Sequence, residues 1–156
     1  MAKAISRQPG KGDAYWVLGG LYEVKVGSDE TNGETTIMEM TVPRGMGPPP
    51  HTHAGSESLY VLEGTLRLHL GDEATDLGPG SFCYLPTGTL ETFEPTSDTV
   101  RVLFVYMPGG IEKFFAEIGE VAPRREVPPP PEASPDFERM AAAGERYGLQ
   151  FQLPAA

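Results

Sequence analysis

"GMGPPPHTHAGSESLYVLEG" occupies residues 45–64 of a 156-residue chain. His51 and His53 stand two apart, so on a β-strand both project to one face. Their backbones are then about 6.7 Å apart, at ~3.35 Å per residue, and the two imidazoles can converge on one ion. Glu57 follows past Ala54, Gly55 and Ser56, small residues that let the chain bend. Pro48, Pro49 and Pro50 fix φ and remove amide donors. Ligands held in place before an ion arrives lose less entropy on binding it. Two histidines and one carboxylate leave coordination positions open, as in non-haem iron and related oxygen chemistry. The competing reading is an exposed proline-rich turn with incidental histidines. Two of the chain's three histidines lie here beside a glutamate, which favours the metal. His69 alternates with Arg67 and Thr65 and reads as a surface or hydrogen-bonding residue.

Outward from this stretch the chain reads as strand after strand from Tyr15 to Met107. "YEVKVG" alternates from Tyr22, Asn32-Gly33 signals a two-residue hairpin turn, and "TTIMEMTV" returns. In "TLRLHLG", Leu66, Leu68 and Leu70 share one face. "SFCYLP", "LETFEP" and "VRVLFVYM" follow, the last apolar enough for a strand covered on both faces. Short strands broken by Gly and Pro indicate an all-β sandwich or barrel.

After Met107 the period changes. Ile111, Phe114, Phe115 and Ile118 form one helix face, with Gly119 placed to stop it. Ser134-Pro135 reads as an N-cap and first-turn proline, Phe137, Met140, Ala141 and Gly144 as a second stripe, and "LQFQL" as a terminal strand. The expected organisation is a β-barrel over 1–107, a packing helix over 108–122, a Pro-rich linker over 123–134, and a C-terminal helix and tail over 135–156.

Composition bounds the function. A net charge of −10 disfavours nucleic acid or an anionic membrane as partner. The longest purely apolar run, Val102 to Met107, has six residues, too few for a membrane span. The N-terminus "MAKAISRQPGKGD" lacks the apolar core of a signal peptide. Cys83 is the lone cysteine, so no internal disulfide forms, and its apolar neighbours make it a small packing residue rather than a nucleophile. The expectation is a cytoplasmic protein with a small-molecule substrate.

Gly45, five residues, His51-x-His53, three residues, Glu57, six residues, Gly64 resembles the first motif of the cupin superfamily without a gap. In residues 80–95, Gly80, five residues, Pro86-x-Gly88, two residues and Glu91 resemble the second. "PGGIEKFF" and the late helix ending near "YGLQF" are similar to small bacterial cupins related to quercetinase, a flavonol-cleaving dioxygenase. The resemblance implies a jelly roll (a double-stranded β-helix barrel) with short C-terminal helices, and a homodimer that pairs sheets between subunits, for which an N-terminal strand or a terminal strand such as "LQFQL" is available. It implies His51, His53 and Glu57 as ligands of a divalent transition metal, with Fe, Mn, Ni, Co and Zn the open candidates. Glu91 stands where the family has a histidine ligand, and Pro95 where it has an asparagine. Three roles stay open for Glu91: a fourth ligand, a general acid or base, or a bystander facing solvent. As a ligand it makes the site harder and favours manganese or iron over copper.

The chamber is expected to draw on Met38, Met40, Tyr60, Phe82, Tyr84, Phe93, Phe104 and Tyr106 and to suit a flat or apolar molecule. The expected function is a metal-dependent, quercetinase-like oxygenase acting on a small aromatic or polyketide-like substrate. Two alternatives stand beside it. One is a cyclase, isomerase or decarboxylase using Glu57 and Glu91 as acid and base. The other is a non-catalytic small-molecule-binding cupin.

Overall fold

The computed structural model describes residues 1–153, so the last three residues of the expected 135–156 segment lie outside the described residues. Two antiparallel sheets face each other. In chain order the strands are β1 (Ala14–Val17), β2 (Gly20–Val26), β3 (Thr36–Pro43), β4 (His51–His53), β5 (Ser56–Glu63), β6 (Leu66–Leu70), β7 (Glu73–Leu77), β8 (Phe82–Leu85), β9 (Glu91–Pro95), β10 (Thr99–Met107), β11 (Glu120–Val121) and β12 (Leu149–Phe151). Helix α1 spans Ile111–Ile118 and α2 Phe137–Arg146. The seven-stranded sheet runs β11-β1-β2-β3-β10-β5-β8 and the five-stranded sheet β12-β4-β9-β6-β7. This is the all-β jelly roll with two short C-terminal helices.

Alternation explains the packing. β3 reads buried at Thr36, Met38, Met40 and Val42, and its other residues are half-buried. Val100, Val102 and Phe104 of β10 and Leu59 and Val61 of β5 extend this buried face along the same sheet, and Leu66 and Leu68 of β6 join the core from the opposite sheet. Each fully buried aliphatic or aromatic side chain contributes roughly 1.5–3 kcal/mol. β10 differs from its apolar sequence. It alternates, with Arg101, Leu103 and Val105 half-buried on the outer face, because only one face of its sheet meets the core.

Asn32 and Gly33 adopt the positive φ expected of them, +53° and +82°. They do not form a two-residue hairpin. The β2–β3 connection runs over 27–35 and includes a 3₁₀ turn at Ser28–Glu30, with Gly33 N–H donating to the Ser28 carbonyl. Its length follows from an anchor remote in sequence. Glu112 of α1 accepts from Ser28 N (2.6 Å), Ser28 Oγ (2.5 Å), Thr36 Oγ1 and Gly110 N (3.1 Å). Helix α2 also starts differently. Asp136, not Ser134, is the N-cap, its carboxylate accepting from Arg139 N at 3.0 Å. Its buried stripe uses Ala143 where Ala141 was expected; Ala141 is half-buried.

Both helices and β12 close one end of the barrel. Ile111, Phe114 and Phe115 of α1 and Met140 of α2 are buried in the core. β12 pairs with β4 in the same chain, Leu149 opposite His53 and Phe151 opposite His51. No helix among the described residues is long and apolar enough to cross a membrane.

Candidate metal centre

Strand β4 presents His51 and His53, and the next two residues turn the chain from one sheet to the other. Gly55 sits at this corner, where an added Cβ would collide with the Met107 carbonyl and lie 2.9 Å from Pro108 Cδ. Only glycine lets β5 begin so soon that Glu57 faces the histidines across the barrel. Glu91 arrives on β9, directly opposite His51 in the ladder. Paired residues share a face, so its carboxylate enters the same space.

The four side chains converge, with one donor atom from each lying within 4.8 Å of all the others. His51 Nε2 is 3.0 Å from His53 Nε2 and 2.9 Å from Glu91 Oε1. His53 Nε2 is 2.8 Å from Glu57 Oε2 and 3.4 Å from Glu91 Oε1. Donors bound ~2.1 Å from one ion at right angles stand ~3.0 Å apart, close to the 2.8–3.4 Å of these four pairs.

The prolines have a second use beyond stiffness. His51 Nδ1 lies 2.8 Å from the Pro49 carbonyl, an acceptor only, so this nitrogen carries the proton and Nε2 keeps its lone pair. The Pro48 carbonyl accepts from Thr92 Oγ1 at 2.7 Å, and that of Pro50 from Gln152 N at 2.7 Å. The Pro48 and Pro50 carbonyls therefore tie the histidine strand to β9 and to the residue after β12, while that of Pro49 orients His51.

Charge makes the case for a cation. Glu57 is 1% exposed and Glu91 3%. Oε2 of each makes no hydrogen bond among the described residues, and no Lys or Arg pairs with either. Glu57 Oε2 is close to His53 but off its N–H direction, as when two groups aim at a third object. Burial alone lowers the His53 pKa, and the Glu57 and Glu91 carboxylates outweigh it, holding His53 up to about 9. Burial, then the Glu91 charge, pushes Glu57 up to about 7. Burial also opposes ionisation of Glu91, but contact with both imidazoles brings it below the usual carboxylate range. Once an ion displaces the His53 proton and takes both imidazoles as neutral ligands, the two buried carboxylates match a divalent cation in charge, number and hardness. The residues present therefore fit a metal ion.

The donors open onto a chamber of about 30 Å³ walled largely by apolar side chains. Met40, Phe93, Phe104 and Tyr106 line it as expected, whereas Met38 is buried in the core and takes no part in the wall. Tyr60, Phe82 and Tyr84 are a correction. They are 43%, 63% and 58% exposed, on the outer face. The pleat decides this: Glu57, Leu59 and Val61 point inward, so Ser58 and Tyr60 point out, and Phe82 pairs with Tyr60 and Tyr84 with Ser58 on the same outer side. The missed wall comes from the cap and the first hairpin: Leu18, Ile111, Phe114, Phe115, Leu149 and Phe151. Their apolar spacing was visible in the sequence, but not that the helix face plugs the barrel mouth. Burial, with Glu57 and Glu91 nearby, pushes the Tyr106 phenol well above its ordinary value, so it stays protonated. His69 lies outside, its Nε2 3.2 Å from Glu94 Oε1. Cys83 is partly buried against the core.

Residues 38–106 match the family model described as the cupin domain. The chain carries a cupin domain over those residues. The chain is 25% identical over 148 residues to a quercetin 2,3-dioxygenase of Bacillus subtilis (strain 168), an alignment covering 94% of this chain and 44% of that protein. It is 36% identical over 56 residues to an uncharacterized protein of Streptomyces coelicolor, covering 36% of this chain and 53% of the relative. The chain thus spans about half the length of these curated relatives. Among solved structures, the polyketide cyclase RemF from Streptomyces resistomycificus is similar at 25% identity and TM-score 0.54, over 69% of this chain and 80% of that one. KdgF from Halomonas sp. shares the fold at 18% identity and TM-score 0.57, over 64% and 91%.

Proposed function

We propose that this cupin is a metal-dependent enzyme, a quercetinase-like oxygenase acting on a small aromatic or polyketide-like molecule. The observation that carries this reading is the set of four inward donors, two of them carboxylates with unpartnered oxygens, in a closed apolar barrel. His51, His53, Glu57 and Glu91 would hold the ion; manganese or iron suits two carboxylates best, with nickel, cobalt and zinc the other candidates. A metal so held supplies Lewis acidity and a template for the substrate's oxygen. The chain's own residues do the rest. The Pro49 carbonyl fixes the His51 ring, the carboxylate of Glu57 or Glu91 takes a proton from the substrate's hydroxyl, and the phenylalanine walls exclude bulk water.

The orphaned Oε2 atoms of Glu57 and Glu91 favour a second reading, acid–base chemistry in a cyclisation, isomerisation or decarboxylation. The likeness to a polyketide cyclase supports it. One experiment separates these from a binding protein without turnover. Protein purified without chelator is analysed for metal, then assayed with a flavonol for oxygen uptake and for product. The oxygenase reading expects about one metal per chain and oxygen uptake, both lost in His51→Ala. Product without oxygen uptake supports acid–base chemistry. Ligand binding that survives His51→Ala with no product overturns both.

We further propose a cytoplasmic setting and a homodimer. β8 is the edge of the seven-stranded sheet, and Tyr60, Phe82 and Tyr84 form an outward aromatic patch beside it. Unpaired edges and exposed aromatic patches mark contact surfaces. A sedimentation profile of a single monomeric species would remove the dimer.

A further inference from the structure

The chamber of about 30 Å³ is smaller by an order of magnitude than the roughly 300–1,000 Å³ a small-molecule site needs. A groove of about 750 Å³ lies against one of its walls. It is bounded by the β1–β2 turn, the 45–49 segment, the end of α1 and residues 131–140 leading into α2. Leu18 and Pro48 line both spaces and form the partition between them.

Of these two, Pro48 is fixed by its ring and by the Thr92 hydroxyl on its carbonyl. Leu18 is held differently. It is the first central residue of a two-residue turn closed by the Val17–Gly20 pair, with φ +47°, and Gly19 follows at +79°. Positive φ at both positions is what a type I′ turn requires, and Asn or Gly normally supplies the first. A leucine has neither glycine's freedom nor asparagine's local hydrogen bond, so this backbone is strained. Strain of this kind persists where the side chain serves something the turn itself does not need. Here the side chain, half-buried, stands between groove and chamber.

We propose that the groove is the outer binding compartment for the substrate, an uncharged, flat and largely apolar molecule, and that Leu18 is the gate through which it reaches the metal centre. This assignment rests on the four-donor cluster being a catalytic centre. Met46, Ile118, Phe137 and Met140 give the groove apolar walls, and the two methionines adapt readily to a ligand's shape. Arg139 is its only cation among the described residues, and Arg139 Nη2 already donates to the Glu117 carbonyl at 2.5 Å. Glu132 and Asp136 add negative charge, so an anionic ligand is disfavoured. A second pocket, of about 280 Å³, adjoins the chamber at His53, Tyr106 and Ile111. Passage there would displace Tyr106 and Ile111, which are 5% and 6% exposed and belong to the core. At Leu18 only the tip of a hairpin has to move.

The test uses isotope-labelled, metal-free full-length protein titrated with quercetin and followed by amide and methyl NMR. The expected shifts begin at Gly19, Met46, Phe137 and Met140. Leu18→Gly keeps the positive-φ turn and removes the gate; it should raise the rate at which shifts reach Leu149 and Phe151 by about tenfold. Leu18→Trp should lower that rate while binding in the groove persists. Rates unchanged in both variants, shifts starting at Gly109, Gly110 and Tyr147, or no binding by the unaltered protein would each overturn the gate. Failure of the catalytic reading looks different: groove and gate behave as described, and the metal-loaded protein turns nothing over.

Discussion

Glutamate at position 91 changes what kind of ion the barrel suits. With His51 and His53 as neutral ligands of a bound ion, Glu57 and Glu91 together balance a divalent charge, and all four donors are nitrogen or carboxylate oxygen. Replacing Glu91 by histidine removes one buried charge and softens the set. Glu91→His should shift preference from manganese or iron toward nickel or copper by at least ~10-fold, read by competitive loading and elemental analysis. An unchanged preference would mean that Glu91 does not touch the ion. The convergence of His51, His53 and Glu57 is legible from spacing because two rules suffice: alternation along a strand and a flexible corner. Glu91 is not legible that way. Its entry into the chamber depends on β9 pairing with β4 at His51, a contact forty residues distant in sequence. Leu18 is harder still, since nothing local announces that a turn leucine will face a barrel mouth.

Single elements are held by anchors that cross between them. Glu112 is the clearest case, joining the first turn of α1 to the β2–β3 connection and to Thr36. Burial opposes its ionisation, but hydrogen bonds from Ser28 and Thr36 prevail and lower its pKa below 4.5. A lowered carboxylate contributes stability that is present above its unfolded value, near 4.5, and is lost as pH falls through the folded value. Glu112→Gln should cost about 2 kcal/mol at neutral pH, since hydrogen bonds to a charged group are worth ~1.5–3 kcal/mol each. Denaturant melts at pH 7 and pH 3 check this: the gap between variant and parent should narrow at the lower pH. The same anchor explains why the Asn32-Gly33 signal misjudged the hairpin. The dipeptide specifies left-handed backbone, which it has, but Glu112 holds Ser28 where a tight turn would not reach. The cap of α2 falls at Asp136 rather than Ser134 for a simpler reason: both are good N-caps, and the sequence alone does not rank them.

The molecule as a whole is a barrel with a stopper. The β-body follows from alternation and turn residues, so its class is legible in the sequence alone. The stopper was readable only as two amphipathic helices, because which surface an apolar face covers is a tertiary fact. Phe114, 2% exposed, packs edge-on against Phe115 and Tyr147 and 5.8 Å from Phe151, joining α1 to the C-terminal strand. Phe114→Ala should cost about 3–5 kcal/mol in chemical denaturation and enlarge the chamber. A loss under ~1 kcal/mol would mean the stopper is not part of the cooperative fold. β12 also has a practical bearing. It is hydrogen-bonded along the strand that carries both histidines, and Gln152 donates to the Pro50 carbonyl just before them. A purification tag or fusion partner joined at the C-terminus hangs its weight on that strand, so an affinity handle belongs at the opposite end of the polypeptide, where the leading residues are exposed and clear of the imidazoles.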